Sequence, residues 1–208
     1  FLVGPPGPTG PPGDGLTSLT HLYFSAVINA NEGLSSTKTH FLYPGFGGSY
    51  TSLSNNSVPI PAPNPGGVVP VATIGFDTAK TVGQGGVVGG RIGYVINNPT
   101  SGSGNGLGLT SGGLNSTGFV ITVYSYCNCN ANGEPDTTGT NGDFAFATVP
   151  AGQDCGHVLL SNELQWGNIS GVNRLGISVS IVPITDIPSG NSNVNRTISI
   201  SIPIQVTI

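Results

Sequence analysis

The sequence predicts an all-β fold, a jelly-roll β-sandwich preceded by a short extended stalk. Three observations carry it. Apolar residues recur at period two in segment after segment, stretches rich in Gly, Pro, Ser and Asn separate those segments, and glycine falls at 4, 7, 10 and 13 near the start. No 3.6-residue periodicity longer than two turns competes with them.

Between Gly4 and Gly15 proline takes five of the eight positions other than Gly4, Gly7, Gly10 and Gly13. This is the Gly-X-Y rule of a collagen triple helix, in which three polyproline-II strands leave room on the shared axis for a hydrogen atom only at every third residue. The register needs three chains. It stops at Phe1 and at Leu16, and at about 3.1 Å per residue it spans on the order of 35 Å, too little to hold three chains without help. Residues 1–15 therefore read as a stalk, and 16–208 as a head that must trimerise.

The head is then taken in chain order. From Thr17 to Asn29, Leu22, Phe24, Ala26 and Ile28 alternate with Tyr23, Ser25 and Val27, which predicts a half-buried strand ended by Asn31-Glu32-Gly33. Thr39 to Tyr43 is a second, shorter strand. Ser52 to Pro70 reads as a long surface connection, and 68–76 and 87–96 as further strands. After the Gly/Ser/Asn-rich loop to Gly118, the run Phe119 to Tyr126 is β-branched and aromatic throughout, a strong strand pattern. Asp143 to Val149, His157 to Leu160 and Leu175 to Ile181 follow. The chain finishes on Ile198, Ile200, Ile202, Ile204, Val206 and Ile208, all on one face of a last strand, with Pro203 marking an edge or a bulge. About nine strands and no helices favour a jelly roll; an immunoglobulin-like sandwich is the alternative, disfavoured because Trp166 follows all three cysteines.

Composition narrows the partners. Charged residues make up 7% of the chain, with five Lys/Arg and nine Asp/Glu and no basic run. Nucleic-acid phosphates and anionic lipid find no counter-charge. No apolar stretch is long enough to span a membrane as a helix, and no signal-peptide pattern opens the chain. Methionine is absent, so Phe1 is expected to begin a processed product or fragment.

With the stalk Gly4-Pro5-Pro6-Gly7-Pro8-Thr9-Gly10, and with Val120-Ile121-Thr122-Val123-Tyr124, Pro150-Ala151-Gly152 and Asn173-Arg174-Leu175-Gly176-Ile177 in the head, the chain resembles the bacterial collagen-like surface glycoproteins. The exosporium fibre proteins of spore-forming bacilli are the nearest likeness; phage and giant-virus fibres combine the same parts. The resemblance implies a homotrimeric jelly-roll head that staples the stalk, an extracellular place on a spore, cell or virion surface, and sugar on stalk threonines such as Thr9. A stalk of four triplets and the presence of three cysteines depart from that family's pattern.

The chemistry-bearing residues are few. Cys127, Cys129 and Cys155, with His157 two residues on, leave three readings: a disulfide from Cys155 to Cys127 or Cys129, free or interchain thiols, or zinc held by all four. Asn128, Asn130, Asn132 and Gly133 imitate half a calcium loop but lack its carboxylates, and read as a turn. Asn55, Asn115, Asn168 and Asn195 open sequons. No nucleophile elbow, phosphate loop or zinc-protease motif is present, so no enzyme and no cofactor are expected. Two functions remain: a structural fibre subunit whose head registers the stalk, and a glycan- or receptor-binding head using loops 44–67, 97–117 and 128–142, with Tyr43, Phe46, Tyr50 or Trp166 stacking on sugar.

Overall fold

The computed structural model describes residues 17–29, 32–45, 50–53, 69–97, 117–126, 129, 142–187 and 195–208. The stalk glycines Gly4, Gly7, Gly10 and Gly13, with Thr9 and Cys127, lie outside them, as do the asparagine-rich turn and the sequons at Asn55 and Asn115. Among the described residues ten strands are formed: β1 (Thr17–Ile28), β2 (Thr39–Pro44), β3 (Tyr50–Leu53), β4 (Ala72–Val87), β5 (Arg91–Asn97), β6 (Phe119–Tyr126), β7 (Gly142–Val149), β8 (Cys155–Leu159), β9 (Gln165–Pro183) and β10 (Arg196–Thr207). The fold is all-β, and among the described residues the only helical piece is a single 3₁₀ turn at Val88–Gly90.

β10 organises the rest. It pairs antiparallel with β1 from Thr17↔Thr207 to Ile28↔Arg196 without a break. Its other flank is shared: Ile204–Thr207 pair with β4, and Thr197–Ser201 with β5. Pro203 sits where that ladder changes partner, opposite the 3₁₀ turn, so the missing N–H falls at an irregularity, as its position in the sequence predicts. Gly89 and Gly90 make the crossing with φ of 65° and 62°, a left-handed pair that side chains with a Cβ resist.

The pairings resolve into two runs of four strands, β1–β10–β5–β8 and β2–β9–β6–β7. They face each other across one apolar core. β2 touches both, through Phe24↔Pro44 and Ser25↔Tyr43 on one side and His40↔Ile181 and Phe41↔Ser180 on the other. β4 joins them again by pairing with both β10 and β9, so the sheet closes on itself in a barrel-like sandwich.

The core follows the period-two pattern. Ile198, Ile200, Ile202 and Ile204 of β10 are fully buried, and they meet Phe24 and Ile28 of β1, Ile92 of β5, Ile121 and Val123 of β6, and Ile177 and Val179 of β9. Trp166 is part of this core at 1% exposure, packed on Gly85, where a Cβ would stand 3.0 Å from its ring. It is therefore not a surface platform for a sugar, contrary to the expectation from sequence. The reason is β9, which begins at Gln165 rather than Leu175 and carries Trp166 inward opposite Gly85.

Two polar contacts, one at a buried guanidinium and one at an exposed carboxylate, tie separate segments of the sandwich. The guanidinium of Arg196, 2% exposed, donates to the backbone carbonyl of Glu32 and holds the turn after β1. Asp186 accepts from the backbone N–H and hydroxyl of Ser36 at 2.6 and 2.7 Å, and these bonds hold its carboxyl below the usual range.

Ile200→Ala removes a fully buried side chain opposite both Phe24 and Tyr94. It is expected to lower the unfolding free energy by about 2 to 5 kcal/mol. Ser199→Ala, on the other face of the same strand, should cost less than about 1 kcal/mol. Urea denaturation of the two variants measures the difference.

Candidate functional site

The head presents two outer sheet faces, and they differ in what covers them. On the run β2–β9–β6–β7, the residues of β6 that point away from the core are Thr122, Tyr124 and Tyr126, alternating with buried Ile121 and Val123. All three are nevertheless buried. Tyr124 stacks at a tilt on Phe41, with ring centres 5.5 Å apart, and its hydroxyl lies 3.3 Å from the Ser180 hydroxyl; Tyr126 reaches Ser178 at 2.9 Å. Val69, Val71 and Cys129 lie over them, forming a second small core. The Cys129 N–H donates to the Arg174 carbonyl at 3.0 Å. Its sulfur fills the space above Gly176, where a Cβ would meet it at 2.6 Å. The chain thus closes this face with its own segments. Burial pushes the phenols of Tyr124 and Tyr126 up, against the smaller opposing effect of their serine hydrogen bonds.

The outer face of β1–β10–β5–β8 is different. Tyr23 stands opposite Ser201, Ser201 opposite Gly93, and Gly93 opposite His157; in the next row Ser199 faces Val95 and Val95 faces Cys155. Glycine and serine make a shallow floor. The His157 ring leans over Gly93, its Nε2 3.5 Å from where a Cβ would be. At the other side His21 stacks on Tyr23, with ring centres 6.4 Å apart. Leu19, Leu159 and Val95 are 69%, 64% and 54% exposed on this face.

These positions bear on the cysteine question. Cys129 is buried outside one sheet, and Cys155 is exposed outside the other, beside His157. Cys129 thus belongs to the small cluster outside β6 and β9, and Cys155 to β8 of the other run. Among the described residues no three His, Cys, Asp or Glu side chains could hold a metal ion together. The pairing of Cys155 with Cys127 lies outside the described residues.

Of the aromatic residues expected to meet a sugar, Tyr43 is 37% exposed and Trp166 is buried; Phe46 and the Tyr50 side chain lie outside the described residues. His40 is buried in β2 with its Nε2 2.9 Å from the Ser35 carbonyl, and burial lowers its pKa. A shallow cleft of about 180 Å³, which sequence reasoning did not single out, opens beside Gly85, Gly86, Glu163, Gln205 and Thr207. Its only advance signal is the run of glycines around Val87.

The exposed face was also missed, yet it leaves a trace. In β1 both faces carry large apolar or aromatic groups, Leu22 and Phe24 on one and Leu19 and Tyr23 on the other, where a strand with one wet face alternates apolar with polar. No protein-family model matches the chain, and no curated protein matches it.

Because the folded-state pKa of Tyr126 is raised above its unfolded value of about 10, the associated stabilisation is fully present below that pH and is lost as pH rises above it. Tyr126→Phe should cost about 1 kcal/mol near neutral pH and make the alkaline loss less steep than in the parent. Denaturant midpoints measured on both sides of the tyrosine range give the result.

Proposed function

We propose that the chain is the subunit of a homotrimeric surface fibre, in which a jelly-roll head, residues 16–208, holds three collagen-like stalk strands in register and forms the fibre tip. One observation carries the reading: glycine at 4, 7, 10 and 13 with proline between, a pattern that has a physical use only when three chains share an axis. The jelly-roll assignment is supported by the pairings. Strands β1, β5, β8 and β10 make one run and β2, β6, β7 and β9 the other, so the chain passes repeatedly from one sheet to the other, as two interlocked Greek keys require.

The mechanism is templating. Four triplets are too few to trimerise at working concentrations, but a trimeric head fixes three stalk strands side by side and raises their local concentration. Only residues 14–16 separate Gly13 from β1, a reach of at most about 14 Å when fully extended. The start of β1 in each copy must therefore stand close to the common axis. The sparsely charged, hydroxyl- and amide-rich composition suits an extracellular tip on a spore, cell or virion.

Circular dichroism of the full chain is expected to show the positive far-ultraviolet band of a triple helix, melting in its own transition. Gly7→Ala and Gly10→Ala together should abolish that band and leave unfolding of the head unchanged. If the parent lacks the band and the double variant behaves identically, the stalk is only a linker and the reading fails.

A further inference from the structure

Resting on the trimer reading, we propose that the outer face of β1–β10–β5–β8 is the surface through which three copies of this chain pack on one another. The two sheets make the contrast. One outer face is covered over Phe41, Tyr124 and Tyr126 by the chain's own Val69, Val71 and Cys129, with Phe146 left 46% exposed on β7, whereas the other leaves Leu19, Val95 and Leu159 more than half exposed. Four strands at about 4.8 Å spacing give that second face an area on the order of 500 Å², with its exposed apolar groups set among serines and threonines.

Its chemistry fits a copy of itself. Among the outward positions of these four strands only Arg91, at one end, carries a fixed charge, so a copy meets no like-charge repulsion over the centre. Ser199 and Ser201, beside the Gly93 that the His157 ring leans over, leave a floor low enough to receive aromatic and leucine side chains from a neighbour. The occupant follows from chain connectivity. β1 belongs to this face, and the few residues between Gly13 and Thr17 bring the β1 strands of three chains to one axis. A surface so placed meets its own copies before any other partner.

The test uses the full chain. Val95→Arg and Leu159→Arg put a charge in the centre and at the margin of the face, and Phe146→Arg does the same on the opposite sheet, where Phe146 is 46% exposed. Sedimentation velocity at micromolar concentration is expected to show the parent and Phe146→Arg as trimers. Val95→Arg and Leu159→Arg should dissociate, weakened by at least about tenfold per site, with unchanged far-ultraviolet dichroism. Cys155 is a reporter already on the face. Its alkylation, located by peptide mass, should be at least about tenfold slower in the parent than in Leu19→Arg, whose substitution lies on β1 away from the cysteine.

A parent trimer that survives Val95→Arg and Leu159→Arg but is dissociated by Phe146→Arg places the contact on the other sheet and overturns the proposal. Equal alkylation of Cys155 in the parent trimer and in a monomeric variant overturns it too, as does equally slow alkylation in both, which would mean that the chain's own loops cover the face. If any arginine variant misfolds, the Cys155 rate in the parent against Leu19→Arg decides. A parent that is monomeric overturns the trimer reading itself, an outcome distinct from a trimer built on another face.

Discussion

Everything in the head depends on the alternation of β10. Its isoleucines at 198, 200, 202 and 204 are fully buried, while Ser199, Ser201 and Pro203 point the other way. A one-residue slip would exchange the two sets, so register is strongly fixed. Because β1 follows β10 along its entire length and β4 and β5 divide its other flank, that register is passed on to three further strands. β9 plays the same part for the second sheet, pairing with β2, β4 and β6. The core is the contact between these two long strands' apolar faces and those of their neighbours.

How legible this was depended on whether a signal was local. β10 and β6 could be read directly, since period two and β-branched content are properties of consecutive residues. β3 overlaps the start of the expected surface connection from Ser52 to Pro70 and has no signal of its own, because four residues, Tyr50–Leu53, are too few to show a period. The first half of β9 was hidden by Gly167 and Gly171, which resemble loop punctuation but sit in an irregular ladder with β4. The direction of Trp166 was not legible either, since a large aromatic residue serves a core and a binding surface equally well until its neighbour is known. The same holds for the cysteines: Cys129 belongs to the cluster outside β6 and β9 and Cys155 to β8 of the other run, a placement set by strand order and invisible in spacing.

The two outer faces differ in what covers them. Tyr124, Tyr126 and Phe41 are polar-tipped or aromatic groups that would favour association if exposed, and the chain buries them under residues 69–71 and Cys129, with each phenol given a serine partner. Tyr23, Val95 and Leu159 are 41%, 54% and 64% exposed. Under the proposal of a stalked trimer, the covered sheet would face outward and the open one the axis on which the glycine register converges.

The central claim is that three chains share one axis, and native mass spectrometry of the intact chain tests it most directly. A species at three times the 20.9 kDa chain mass, stable to EDTA and to reduction, is the predicted result. A single-chain mass across micromolar concentrations would contradict it, leaving a monomeric β-sandwich with a proline-rich leader.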